Sequence, residues 1–215
     1  MSNFKVNHIT NKSGKNGPVL AGITTVSSSG SMRFPSGPTE HRGGRGRGLF
    51  SGGYRQAAGD FNVIEMVEIA TIGNATDFGD LTTERRGTGG VCASSTRSVM
   101  IGGRDSPVNE TGIDYVTFSS NGGASDFGEL SEGVSNSGQC SSATRGICYA
   151  GSRGNPSPAS SSQISYITLA STGNANDFGE ATSALVTCGG AASPTRGLFE
   201  GGYNPAELKL SLIHI

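Results

Sequence analysis

Short apolar runs alternate with clusters of glycine, serine, asparagine and aspartate along most of the chain. Between residues 89 and 130 four such runs occur: GGVCASS, RSVMIGG, IDYVTFS and a short one around DFGEL. Branched and aromatic residues dominate the runs and turn-forming residues bound them, which is typical of β-strands. No segment shows an apolar stripe of helical period over three turns. The pattern therefore predicts an all-β protein with almost no helix.

The same pattern occurs three times and begins a fourth. An arginine opens the second strand of every copy, in steps of 50, 48 and 51 residues, at Arg47, Arg97, Arg145 and Arg196. An Asp-Phe-Gly box near the end of each full copy supplies two more sets of repeated positions: Asp77, Asp126 and Asp177, and Phe78, Phe127 and Phe178. A fixed period of this length predicts units that bury their apolar faces only against one another.

Four strands in about 50 residues are typical of a propeller blade. Glycine doublets at 52–53, 102–103 and 201–202, the repeated arginine and an aromatic third strand resemble the kelch repeat. The resemblance implies an incomplete kelch-like β-propeller of about three and a half four-stranded blades, at 42–83, 84–133, 134–183 and, in part, 184–203. The sequence departs from kelch in having Ala150-Gly151 in copy three and no tryptophan. We expect the repeated phenylalanines to fill the gaps between blades instead.

Two interpretations of the repeated arginine and aspartate stay open. Each aspartate either makes a local turn to backbone N–H groups or forms a partly buried ion pair with a repeated arginine. Calcium binding through Asn74, Asp77 and Asp80 is disfavoured, because these residues lack the spacing of an EF-hand loop. We expect no metal and no cofactor.

Composition narrows the class of function. The formal net charge of −1 gives no field that favours nucleic acid, and the longest apolar runs are too short to span a bilayer. We therefore expect neither a nucleic-acid partner nor membrane insertion. The four cysteines lack metal-ligand spacing and are predicted to be buried and reduced. No histidine recurs with the repeat, so a Ser/His/Asp site is not indicated and the sequence predicts a non-enzymatic protein.

Variation between the copies indicates where a ligand would bind. The loops after the doublets differ at 55–63, 105–112 and 153–163, and the residue directly after the doublet differs as well. Variable loops on one face of a repeated scaffold usually form its binding face. We predict Tyr54, Arg104 and Tyr203 as ligand contacts, while surface loops that drift without a ligand explain the variation equally well.

The two ends differ from the repeats. Residues 6–37 (VNHITNKSGKNGPVLAGITTVSSSGSMRFPSG) resemble the leader of structural proteins from tailed phages that infect marine cyanobacteria. We therefore interpret residues 1–41 as an attachment segment, with a disordered polar tail as the alternative. The last six residues, LSLIHI at 210–215, match the translation of a transposase adapter used in sequencing libraries. We expect residues 204–215 to be a truncated end and the natural chain to continue.

The resemblance of residues 6–37 to phage structural proteins implies a virion protein that is assembled in the host cytoplasm. It would be a tail-fibre or adhesin-like module that binds a host-surface glycan or protein and contacts other virion proteins. Homo-oligomerisation through the leader is a further expectation. A purely structural decoration protein is the first alternative, and a propeller enzyme that acts on glycans is the second, because fold alone does not decide function.

Overall fold

The computed structural model describes residues 46–69, 71–154 and 159–204, and the backbone of strand residues 25–26, 32–33 and 213–214. The chain divides into two units, Met1–Thr39 and Glu40–Ile215. In the first unit, β1 (Thr25–Val26) pairs antiparallel with β2 (Met32–Arg33). The remainder of the predicted leader at 1–41, and most of the predicted truncated end, lie outside the described residues. The predicted domain boundaries stay predictions.

The second unit consists of antiparallel strands. Its strands are β3 (Arg47–Arg55), β4 (Gly59–Glu68), β5 (Thr76–Asp80), β6 (Cys92–Ala93), β7 (Arg97–Ile101), β8 (Arg104–Asp105), β9 (Val108–Asn109), β10 (Gly112–Thr117), β11 (Ser125–Glu129), β12 (Val134–Ser135), β13 (Gly138–Ser141), β14 (Arg145–Tyr149), β15 (Ser152–Arg153), β16 (Ala159–Thr168), β17 (Asn176–Leu185), β18 (Gly189–Ala192), β19 (Gly197–Glu200) and β20 (Ile213–His214). The described residues contain no α-helix, and thus none that could cross a membrane. The predicted all-β class is confirmed.

The repeats share one strand order. Repeat two (84–133) forms the sheet β11-β10-β7-β6, and repeat three (134–183) places β17, β16, β14 and β13 in the same order. Repeat one (42–83) shows β5-β4-β3, and repeat four (184–203) shows β18-β19, with β20 on the far side of β19. All four strands predicted for repeat two are present. The hairpin β8–β9, in the loop after the doublet, is an addition to the predicted pattern.

Each Asp-Phe-Gly box forms a β-bulge at an equivalent place. Three equivalent isoleucines on the neighbouring strands pair with the box glycines, and the residue after each isoleucine pairs with the box aspartate, so the phenylalanine is the extra residue. A bulge bends its strand and redirects one side chain. Phe78 packs with Val116 of repeat two, and Phe127 packs with Leu169 of repeat three. The apolar clusters therefore join neighbouring repeats.

Close backbone approach explains the glycine doublets. The first glycine has φ of +67° at Gly52 and +63° at Gly102, a left-handed conformation that glycine adopts without strain. A Cβ on Gly102 would lie 2.5 Å from the carbonyl oxygen of Val134. Ala150 takes the same conformation in repeat three, with φ of +53°. The matched stretches thus share backbone geometry even where their sequences differ.

Candidate functional site

The repeated arginines contact the next repeat through its backbone. Nη1 of Arg47 donates to the carbonyl of Phe118 at 2.6 Å, and Nη1 of Arg97 donates to the carbonyl of Leu169 at 3.3 Å. Arg145 is exposed and stacks over Tyr166, with its guanidinium carbon 4.5 Å from the ring centre. The first two arginines therefore join successive repeats in the same way.

The repeated aspartates are exposed and do not pair with these arginines. Within the described part of the chain no ion pair joins a repeated arginine to a repeated aspartate. Asp177 instead accepts the backbone N–H of Gly179 at 3.1 Å through Oδ1, as the local-turn interpretation predicts. Arg47 has a different acidic partner, because its Nε lies 3.3 Å from Oε1 of Glu68.

Backbone pairing holds the residues after the doublets at equivalent positions. The second residue of the doublet donates its N–H to a carbonyl in the next repeat, at 2.8–2.9 Å, in three cases: Gly53 to Arg85, Gly103 to Val134 and Gly151 to Leu185. In repeats two, three and four, the residue after the doublet then pairs with the segment before the first strand of its own repeat: Arg104 with Arg86, Ser152 with Ser135 and Tyr203 with Val186. The side chains of the predicted ligand contacts Arg104 and Tyr203 therefore start from equivalent backbone positions.

Two of the three predicted contacts meet around Arg86. The guanidinium carbon of Arg86 lies 4.2 Å from the ring centre of Tyr54, within the range of a cation–π contact. Arg86 and Arg104 exchange backbone hydrogen bonds of 3.0 and 2.7 Å. Tyr203 is not part of this group, because it pairs with Val186 in repeat four.

Asp60 anchors this group between repeats one and two. Its Oδ1 lies 3.4 Å from Nη1 of Arg86, and its Oδ2 accepts the backbone N–H of Ser106 at 3.2 Å. The carboxylate side chain is only 7% exposed, so the ion pair is partly shielded from water. We call Tyr54, Asp60, Arg86, Arg104 and Ser106 the Arg86 cluster.

The Arg86 cluster presents a tyrosine ring beside excess positive charge. The ring of Tyr54 is 55% exposed, and the side chain of Arg86 keeps 30% of its surface exposed. Arginine binds carboxylate, sulfate or phosphate oxygens in pairs, and an exposed aromatic ring packs on a sugar face. The arrangement can hold an anionic sugar.

Sequence reasoning missed Arg86 and Asp60. Arg86 lies before the first strand of repeat two, and the corresponding segments 131–137 and 182–188 contain no arginine. That irregularity in a repeated chain was the available signal for Arg86. Asp60 lies inside the predicted variable loop 55–63, where the sequence does not distinguish it from its neighbours.

The cysteines show no sign of catalytic activation. All four are free and buried, as predicted. Burial raises the pKa of the Cys140 and Cys188 thiols to about 11, so both are protonated at neutral pH. A nucleophilic cysteine needs the opposite change, a lowered pKa. Among the residues that the structure describes, no three acidic, histidine or cysteine side chains are grouped so that they could hold a metal ion.

No protein-family model matches the sequence, and no curated protein matches it either.

Proposed function

We propose that the chain is a non-enzymatic binding module of a phage tail fibre or adhesin, built from kelch-like propeller blades. In this proposal the Arg86 cluster binds an anionic glycan on the host surface. The observation that carries it is the meeting of Tyr54 and Arg104 around Arg86, at a position where the repeats differ in sequence.

The repeated geometry supports the propeller part of the proposal. Repeats two and three place four antiparallel strands in one order, and neighbouring repeats pack through equivalent residues. Propeller blades are four-stranded sheets of this kind, arranged around an axis. The kelch-like doublet adopts its left-handed conformation in every repeat described, including the one in which alanine replaces glycine.

The chemistry of the cluster supports an anionic sugar as ligand. Asp60 neutralises one of the cluster's two guanidinium groups, which leaves Arg104 to attract an anion. The Tyr54 ring, already packed against Arg86 on one side, offers apolar surface for a sugar ring. Such contacts are weak singly, and several copies on one particle would raise the overall affinity by avidity.

A glycan array probed with the full chain, displayed multivalently, tests the proposal. We expect acidic glycans to be bound in preference to neutral ones, and binding to weaken as salt is raised. Arg104→Ala and Tyr54→Ala should each reduce binding by about tenfold, since arginine and tyrosine dominate such contacts. Arg196→Ala, an exposed repeated arginine outside the cluster, is the matched control and should bind normally. The proposal is rejected by failure to bind both the array and host envelope material.

A further inference from the structure

Repeat two buries the guanidinium group of Arg85 beside a carboxylate. Nη1 of Arg85 donates to the carbonyl of Gly112 at 3.1 Å, and Nη2 forms an ion pair with Oδ2 of Asp114. The carboxylate also accepts two hydrogen bonds from Thr82, of 2.9 Å from its backbone N–H and 2.8 Å from its hydroxyl. The buried negative charge is thus held by an arginine of the same repeat and by a threonine of the repeat before it.

Repeat three buries the guanidinium group of Arg153 at the equivalent place. Its Nη2 donates to the carbonyl of Gln163 at 3.5 Å and to the hydroxyl of Ser165 at 3.2 Å. Pairing with the fourth strand aligns Gln163 with Gly112 and Ser165 with Asp114. The same two positions of the third strand therefore contact both guanidinium groups, although the two arginines come from different parts of their repeats.

Repeat three has no carboxylate at this place. Ser165 is shorter than the aspartate that it replaces by two heavy atoms. Arg153 is 4% exposed, it forms no ion pair with a described residue, and its Nε and Nη1 have no hydrogen-bond partner. Arginine stays protonated in proteins, and burial of an unpaired charge opposes folding. The folded chain therefore favours any anion that can reach this guanidinium group.

Two ionisable side chains close to this place do not supply the missing charge. Burial raises the pKa of the Cys148 thiol, and the opposing effects of Arg153 and of a hydrogen bond with Ser137 do not reverse the change. The thiol is therefore neutral at pH 7. Glu132 is exposed and forms no ion pair with Arg153.

The repeated geometry supplies further hydrogen-bond donors. Leu81 and Leu130 donate their N–H groups to equivalent carbonyls in their own repeats, which aligns the residues that follow them, Thr82 and Ser131. Thr82 donates its N–H and its hydroxyl to the carboxylate of the next repeat, whereas Ser131 faces a repeat with no carboxylate at that position. Ser131 is exposed, so an ion can enter from this side.

We propose that Arg153 binds a small monovalent anion, such as chloride, at the place that the Asp114 carboxylate fills in repeat two. The guanidinium group supplies charge-assisted hydrogen bonds, and the hydroxyls of Ser165 and Ser131 and the Ser131 N–H supply the remaining donors. One negative charge balances one guanidinium group. The place of a single carboxylate group admits a small ion and excludes a large organic anion.

The proposed ion would join repeat two to repeat three. Ser131 belongs to repeat two, and Arg153 and Ser165 belong to repeat three, so both repeats contribute donors. A ligand that binds only the folded state stabilises it in proportion to the logarithm of its concentration. Stability of the junction should therefore depend on chloride itself and not only on ionic strength. The site is separate from the Arg86 cluster, and its ligand is independent of the proposed glycan.

Urea denaturation of the full chain in mixtures of sodium chloride and sodium gluconate at constant ionic strength tests the proposal. Screening is then the same in every mixture, so a rise of the urea midpoint with chloride reports a specific site. With chloride at ten times its dissociation constant, the ratio of folded to unfolded chain should rise about elevenfold. Bromide soaked into crystals gives a direct readout, an anomalous peak beside Arg153 and Ser165.

Two variants should remove the chloride response. Arg153→Met removes the charge, and Ser165→Asp fills the place with a carboxylate while keeping the arginine. Two controls should keep the response. Glu132→Gln removes the acid next to Ser131 in the chain, and Arg196→Ala removes an exposed arginine of repeat four.

Three results would overturn the proposal. The first is an equal urea midpoint in chloride and in gluconate at every ratio. The second is a chloride response that persists undiminished in Ser165→Asp, because the ion would then bind elsewhere. The third is a loss of stability in Glu132→Gln with no effect of chloride on the wild-type chain, which would make Glu132 the counter-charge of Arg153.

Discussion

Repeats two and three have the same strand order, yet each buries an arginine in a different way. In repeat two, Arg85 is 1% exposed, forms an ion pair with Asp114 and donates to the carbonyls of Gly102 and Gly112. In repeat three, Arg153 is 4% exposed, and its Nη2 donates to the hydroxyl of Ser165 at 3.2 Å and to the carbonyl of Gln163 at 3.5 Å.

Ser165 occupies in repeat three the position that Asp114 occupies in repeat two, opposite the box aspartate. Within the described residues Arg153 forms no ion pair, and its Nε and Nη1 have no hydrogen-bond partner. Burying a charge lowers the free energy of unfolding unless the charge is paired. The two repeats therefore hold buried arginines at related sites, Arg85 with a counter-charge and Arg153 without one among the described residues. Shared strand order therefore does not impose shared polar packing.

The largest expected effect comes from removing the carboxylate that pairs with Arg85. Asp114→Asn keeps the shape but leaves a buried guanidinium without its counter-charge, which should lower the free energy of unfolding by about 3–5 kcal/mol. Urea denaturation measures the loss. Ser165→Asn is the control at the equivalent position and should cost clearly less, because no ion pair is broken there. Equal losses would remove the distinction between the two arginines.

Substituting the first doublet residue in repeats two and three should have the next largest effect on stability. Gly102→Ala forces an L-residue into φ of +63° and places its Cβ 2.5 Å from the carbonyl oxygen of Val134. The conformation alone costs about 1–2 kcal/mol, and the close approach adds to this. The reverse change, Ala150→Gly, should alter stability by less than about 1 kcal/mol, because relief of strain is offset by loss of a buried methyl group. Thermal melting of both variants checks whether Gly102→Ala lowers stability more than Ala150→Gly does.

Supplying the missing carboxylate should make repeat three resemble repeat two. Ser165→Asp places an acid beside Arg153, and we expect a gain of about 1.5–3 kcal/mol, the scale of a hydrogen bond to a charged group. The gain should disappear in the double variant with Arg153→Met, measured by the same urea titration. Destabilisation by Ser165→Asp alone would show that Arg153 does not need a counter-charge.

The smallest effect is a pH dependence that comes from buried thiols, of which Cys140 in repeat three is one. Burial raises the pKa of Cys140 from 9.0 to about 11, so folding favours the protonated thiol. The stabilisation is complete below pH 9 and is lost as the pH rises towards 11. Cys140→Ala should therefore lose less stability than wild type between pH 8 and pH 11, measured by urea denaturation. If the free energy of unfolding of Cys140→Ala depended on pH as that of wild type does, Cys140 would not be the source of this pH dependence.

The sequence predicted the strands well because β-strand and turn chemistry is local. The four runs of repeat two and the equivalence of the repeats follow from apolar alternation and glycine position alone. The partners of the arginines do not follow from spacing, because they depend on which carbonyls a neighbouring turn presents, as Arg97 shows with Leu169. The sequence could predict only part of the Arg86 cluster for the same reason. Tyr54 and Arg104 stand out because they differ between copies, but only the folded structure shows that Arg86 contacts both.

Where neighbouring repeats meet, a glycine of one repeat contacts a glycine of the next, and this affects how the sequence of such a chain can evolve. Gly79 and Gly128 approach the next repeat through main-chain atoms, so the spacing of the units does not depend on which side chains the loops carry. A unit can therefore be duplicated, exchanged or given a new loop while its neighbours keep their fit. Diversification of the outer loops then proceeds without compensating changes in the framework.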